Sequence, residues 1–226
     1  MTAEASGAAV HTVLDTGAGL VRLHVEMPEG AQFAGTAGPG GELWFVIDGV
    51  GRLASGDLPP VPVRADAGLW LPPGGRYSLS ADGPGALRLD CVRLPAGQGT
   101  AGDAAELRVS DLRDRPVEVT GDRRFRVLLG PGNGCDAATQ FVGEIPPGRA
   151  PEHSHTYDEV VLVLAGVGIL HTGAGDRPLA PGSSVHLPPG LPHCLENTGE
   201  ATLRVLGVFH PGGSPAAKVT TPPPSA

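Results

Sequence analysis

Apolar residues along this chain come in short unbroken runs. Trp44–Ile47 and Val160–Leu164 are apolar at every position. Such runs predict strands buried on both faces, as where a barrel wall is covered by a second sheet. Thr202–Phe209 is mostly apolar and predicts another strand. The Gly-x-Gly of Gly166–Gly168 suits a tight strand-to-strand turn with positive φ. A single helical turn is predicted over Ser110–Arg115, with Ser110 as N-cap and Pro116 ending it. Gly 35 and Pro 24 together make about a quarter of the 226 residues, which breaks up any long helix. The chain therefore reads as all-β: many short strands joined by turns.

The pattern occurs twice. Gly41–Leu53 (GELWFVIDGVGRL) echoes Asp158–Leu170 (DEVVLVLAGVGIL), aligning Glu42 with Glu159 and Gly49–Gly51 with Gly166–Gly168. Leu71–Gly74 and Leu187–Gly190 both read LPPG, and Glu26–Gly30 resembles Glu144–Gly148. Two such units make a domain duplication rather than a solenoid, whose period would be roughly 20–50 residues. The small and polar run 96–103 reads as a linker between a domain over 1–95 and one over 104–212. The Pro-rich run 213–226 predicts a disordered tail.

Composition narrows the function. Hydrophobic residues at 40% and charged residues at 18% allow a packed core. The net charge of -8 leaves no basic footprint for nucleic acid or anionic lipid. Lys218, in the tail, is the chain's one lysine, which argues against Schiff-base chemistry. No apolar run is long enough to span a membrane, and MTAEASGAAV does not resemble a secretory signal. Cys91, Cys135 and Cys194 are unclustered and odd in number, so a disulfide framework is not expected and a reducing cytoplasm is.

The histidines are unevenly shared. Six of the eight lie between His153 and His210, while the first copy of the repeat holds only His11 and His24. His153-Ser154-His155 is an H-x-H, which on a strand points both imidazoles to one face. Glu159 has the same parity, but four residues of straight strand cover ~13 Å. A shared metal at ~2 Å from each ligand requires the chain to turn between Thr156 and Asp158. His193 follows Pro188-Pro189-Gly190-Leu191-Pro192, a rigid turn that can aim it inward. Three imidazoles and a carboxylate suit a divalent transition metal and leave coordination positions for water, substrate or dioxygen.

These residues resemble the cupin superfamily. Its first motif, G-x5-H-x-H-x3,4-E-x6-G, is met by Gly148, His153, His155, Glu159 and Gly166, with one residue fewer after the first glycine. Its second, G-x5-P-x-G-x2-H-x3-N, is met at every position by Gly182, Pro188, Gly190, His193 and Asn197. The resemblance covers residues of roughly 140–212 and, through the repeat, most of the rest. It implies a bicupin: two tandem antiparallel jelly-roll β-barrels. It also implies that His153, His155, Glu159 and His193 are metal ligands and that Asn197 holds a turn or packing position. The first copy departs from the pattern. Thr36 and Gly38 stand at its H-x-H positions, Tyr77 at the second-motif histidine and Ala81 at the asparagine. Glu42 alone survives, so one metal per chain is expected, in the second barrel.

Other residues carry two readings each. Tyr157 shares parity with the ligands and could offer its phenol to a substrate, or simply line the barrel mouth. His171 and His186 sit on predicted strands as pocket proton carriers or as structural histidines. Tyr157 and His171 stand as catalytic candidates. Cys194 should point away from its neighbour His193 and be an inert buried thiol.

Cupin motifs specify a metal cage rather than a reaction. The leading expectation is a metalloenzyme acting on a small organic metabolite, resembling the quercetin-dioxygenase-like cupins, with Fe(II) favoured and Mn, Ni, Co, Cu or Zn compatible. A redox-neutral isomerase, cyclase, lyase or hydrolase, as in secondary metabolism, is a second reading. A non-catalytic small-molecule binder or sensor is a third. No nucleic-acid or membrane partner is expected; a monomer and a homodimer both fit.

Overall fold

The structure, a computed structural model, describes residues 4–56, 59–97 and 106–217. The chain divides into two compact units: Met1–Arg115 with Leu128–Ala137, and Pro116–Val127 with Ala138–Ala226. Among the described residues there is no α-helix, and no helix is long and apolar enough to cross a membrane.

The first unit holds β1 (Glu4–Ser6), β2 (Ala9–Asp15), β3 (Val21–Met27), β4 (Gln32–Thr36), β5 (Glu42–Asp48), β6 (Val50–Ser55), β7 (Val61–Arg64), β8 (Ala67–Leu71), β9 (Arg76–Ala81), β10 (Leu87–Arg93) and β11 (Arg108–Asp111). They form two antiparallel sheets, ordered β1-β4-β9-β6-β7 and β11-β8-β5-β10-β3-β2. The later strands are β12 (Glu118–Thr120), β13 (Arg123–Leu129), β14 (Thr139–Ile145), β15 (Gly148–Arg149), β16 (Asp158–Ala165), β17 (Gly168–Thr172), β18 (Gly175–Leu179), β19 (Ser184–Leu187), β20 (His193–Asn197) and β21 (Leu203–His210). Their sheets run β12-β13-β14-β21-β16-β19 and β15-β20-β17-β18. The expected all-β tandem of antiparallel jelly-roll barrels is what the chain forms.

The unbroken apolar runs fall on interior strands of the two larger sheets. Residues 42–46 of β5 and 159–163 of β16 are buried. Alternation still sorts them. Trp44 and Val46 join the first core and Val161 and Val163 the second. Glu42 and Glu159 share the parity of those residues and so point inward with them. The repeat also preserves register: Glu42 pairs with Leu71 and Glu159 with Leu187. Its Gly-x-Gly has two jobs. The first glycine takes positive φ, +91° at Gly49 and +84° at Gly166. A Cβ on the last, Gly51 or Gly168, would run into the backbone oxygen of Ser80 or Glu196 on the neighbouring strand.

Three expectations need correction. The helical turn exists, as a 3-10 turn over Leu112–Asp114, but its N-cap is Asp111, whose carboxylate accepts from the Arg113 N–H at 3.0 Å. Ser110 is instead the third residue of β11, paired with Gly68. The domain boundary also moves. Of the expected linker 96–103, residues 98–103 lie outside the described residues. Beyond it, β11 hydrogen-bonds to the open edge of β8, which draws residues expected in the second domain into the first. The third correction concerns 213–217, the start of the expected disordered tail, which is held by side-chain bonds set out below. Residues 218–226 lie outside the described residues.

Candidate metal centre

Two backbone bonds bring the motifs together. His153 N–H donates to the His193 carbonyl at 3.0 Å, and His193 N–H to the His153 carbonyl at 2.9 Å. In an antiparallel pair that exchanges both bonds, opposing side chains stand on the same face. The chain bends at Thr156 and Tyr157, within the span that the spacing required, and enters β16 so that Glu159 faces inward. Gly190 N–H donates to the His155 carbonyl at 2.7 Å, tying the LPPG turn to the H-x-H segment.

The result is a buried cluster. One ring nitrogen from each of His153, His155 and His193 lies within 4.8 Å of the others. Glu159 is not in that group, but its Oε2 lies 3.3 Å from His155 Nε2. All four residues are nearly buried, at 3–6% exposure. The Nδ1 atoms face backbone carbonyls: Pro151 at 3.1 Å for His153, Ala217 at 3.2 Å for His155, Leu191 at 2.9 Å for His193. A carbonyl oxygen only accepts, so each Nδ1 carries a proton, which leaves Nε2 as the nitrogen a neutral ring would offer a metal. Metal-bound imidazoles in proteins are commonly fixed in this way. The donor set therefore fits a metal ion on three imidazole nitrogens.

An aromatic cluster of Phe125, Phe141, Tyr157 and Phe209 packs beside the histidines. Tyr157 stacks on His155 with ring centroids 4.9 Å apart and planes 13° apart, and packs on Phe209 at 4.3 Å. Its hydroxyl sits 3.2 Å from the carbonyls of Ser214 and Ala217, to which it donates. Burial, reinforced by the nearby Glu159, pushes the phenol above its ordinary pKa. Tyr157 is not among the residues lining the cavity, and its hydroxyl ties the ring stacked on His155 to the segment 213–217. Thr139 closes that segment from the other side: its hydroxyl donates to the Gly213 carbonyl at 2.7 Å.

His171 is the other catalytic candidate. Leu170 takes the core side of β17, so His171 takes the opposite face. There its ring nitrogens meet Asp176 and Glu196, each at 2.7 Å. The two carboxylates hold the ring between β17's neighbours as a structural link. His186 likewise bonds Asp158 at 2.7 Å. Asn197 donates to the Ile145 and Ala201 carbonyls and accepts from Gly199 N–H, which makes it a turn anchor. Cys194 is a buried free thiol.

A cavity of about 70 Å³ that opens to solvent includes His153, His155, Glu159 and His193 in its wall. Phe141, Ile145, Leu195, Val205 and Phe209 make much of the rest apolar. Sequence reasoning passed over Arg123 and Pro215, which also line it. The one available signal for Arg123 was its parity with Phe125 on a strand. For Pro215 there was none.

The first unit arranges the corresponding positions differently. Glu42, fully buried, accepts from Trp44 Nε1 at 3.0 Å, Tyr77 OH at 3.1 Å and Arg93 Nε at 3.0 Å. Arg93 pairs with Glu42 where Phe209 pairs with Glu159. The surviving carboxylate is thus committed to donors of its own unit. Burial raises the Tyr77 phenol above its ordinary pKa, with Glu42 adding to the effect, so the group is a donor and no metal ligand.

Residues 141–209 match the family model for the cupin domain, a span holding all four candidate ligands. No curated protein matches the chain. Among solved structures, Ylba of E. coli is similar at 13% identity and TM-score 0.77, over 91% of this chain and 84% of its own. Bacillus subtilis oxalate decarboxylase, studied for its Mn(II) centres, is similar at 15% identity and TM-score 0.75, over 94% and 74%. A cupin 2 conserved barrel domain protein from Leptotrichia buccalis is similar at 13% identity and TM-score 0.62, over 93% and 92%. Family model and fold together support a place in the cupin superfamily.

Proposed function

We propose that the second barrel binds one divalent transition metal through His153, His155, Glu159 and His193, and acts on a small organic metabolite in the adjoining cavity. The observation that carries this reading is the common orientation of the three imidazoles. Each is tied through Nδ1 to a backbone carbonyl, so the three rings are oriented before any ion arrives. Glu159 supplies the anionic donor that favours a divalent cation. When bound, such an ion supplies Lewis acidity and, if it is redox-active iron, a route to dioxygen chemistry.

The chain's own residues do the rest. Phe141, Ile145, Leu195 and Val205 exclude water from the walls and suit the apolar part of a small molecule. Glu159 lines the cavity beside the histidines. The leading reaction is an oxygenation of the quercetin-dioxygenase-like kind with Fe(II), because a three-imidazole, one-carboxylate set suits redox-active first-row metals. A redox-neutral reaction is the second reading. It is favoured by the similarity of fold to oxalate decarboxylase, a lyase by name with Mn(II) centres.

Elemental analysis of the native protein, prepared with and without air, tests the reading. About one metal per chain is expected, lost in large part from His155→Ala. Iron that is oxidised or lost in air, with dioxygen uptake on a metabolite panel, supports the oxygenase. An air-indifferent metal supports the redox-neutral reading. A chain that takes up no iron, manganese, nickel, cobalt, copper or zinc overturns both.

A further inference from the structure

Arg123 opens β13 and shares a face with Phe125, and both line the cavity that holds the candidate ligands. One guanidinium nitrogen, Nη2, donates to the Leu195 carbonyl at 2.7 Å. No other hydrogen bond and no ion pair of this side chain occurs among the described residues. A guanidinium carries five N–H donors, so most of its capacity is unused. Its neighbour on the same strand differs: Arg126 faces the Glu144 carboxylate at 3.5 Å.

Electrostatics agrees with the geometry. Burial lowers the pKa of Arg123 from its usual value, and Asp122, Cys194 and Glu159 only partly oppose that shift. A partly desolvated cation with no ion pair gains when something anionic joins it. It stands in a largely apolar cavity whose other charged groups include the candidate metal ligands. An incoming anion would thus meet a fork of donors in the same cavity as the histidine cluster.

We propose that Arg123 is the specificity-determining residue of this cavity and binds the carboxylate of a small organic acid. The inference rests on the cavity being the substrate site, as argued above. A planar fork matches a carboxylate bidentately, whereas a lysine would offer only a point charge. One half-buried guanidinium fits a monoanion better than a phosphate, whose recognition generally draws on clusters of arginine. Arg124, also on the cavity wall, is exposed and so contributes at the rim.

Calorimetric titration of the full chain, metal-free and Mn(II)-loaded, tests this with pyruvate, pyruvamide and inorganic phosphate. Wild-type protein should bind pyruvate more tightly than either competitor. Arg123→Gln should weaken pyruvate about 10- to 100-fold while leaving pyruvamide unchanged. Arg123→Lys should fall between, and it also reads the effect if the glutamine variant does not fold. Metal content should be equal in all three proteins. Unchanged pyruvate binding in both variants, phosphate binding as tight as pyruvate, or no pyruvate binding by wild type overturns the proposal. A wild-type chain that takes up no metal would defeat the metal reading alone, because the metal-free titration still reports on Arg123.

Discussion

His155 Nδ1–H donates to the backbone carbonyl of Ala217 at 3.2 Å, across 62 residues of sequence. The bond ties a candidate metal ligand to the segment that follows the last strand. The same carbonyl accepts from Tyr157, whose ring stacks on His155. Pro215, between the two anchored ends of the segment, forms part of the cavity wall. The residues after β21 therefore both orient His155 and shape the pocket.

A chain ending at Gly213 should bind metal about 10- to 100-fold more weakly, the usual cost of losing an outer partner of a metal-bound histidine. Chelator competition measures it. Wild-type affinity in the truncated chain would mean that the Ala217 carbonyl does not orient His155.

His155→Ala and His171→Ala should part company. The first removes metal and leaves the barrel folded. The second retains metal and lowers the stability of the second unit by about 1 kcal/mol, because its carboxylate partners are partly exposed. Elemental analysis and thermal unfolding by circular dichroism separate the two effects.

Glu42→Ala should leave metal content alone and destabilise the first unit by about 3 kcal/mol, since it removes the acceptor of Trp44, Tyr77 and Arg93. Both tryptophans of the chain, Trp44 and Trp70, lie in that unit, so their fluorescence during urea unfolding reports it selectively. Loss of a metal equivalent would refute the single-site reading.

Two aspartates of the first unit should bend its pH dependence in opposite directions. Arg88 and the Gly49 N–H hold the Asp48 carboxyl below its ordinary 3.8. Its stabilisation is present above that value and lost as pH falls through the folded pKa. Burial pushes Asp90 above 3.8 despite Arg22. Its contribution is complete below the unfolded pKa and lost as pH rises through the folded one. Asp48→Asn should flatten the acid side of the urea-midpoint curve, and Asp90→Asn the opposite side. Tryptophan fluorescence from about pH 3 to about pH 6 reads both slopes.

Much of the fold was legible because strand signals are local. The runs at Trp44–Ile47 and Val160–Leu164 fell on buried strands, since a strand covered on both faces needs no alternation. The first unit's altered site was legible too, because the repeat placed Tyr77 where the second copy has His193. The domain boundary was not legible: β11 joins β8 through backbone bonds, which any side chain allows. Nor was the fate of Tyr157 and His171. Parity says which face a residue takes, but not which carbonyl or carboxylate meets it there.

From the sequence alone came the two-copy all-β plan, the asymmetry of the histidines, and the spacing that lets His153, His155 and His193 come together. Those properties follow from the period of a strand and the rigidity of a proline-glycine turn. Tertiary structure alone decided that His153 pairs with His193, that Ala217 orients His155, and that Arg123 lines the same cavity. Such contacts depend on which strands pair and in what register, and that is settled by burial of the whole core rather than by any local run of residues.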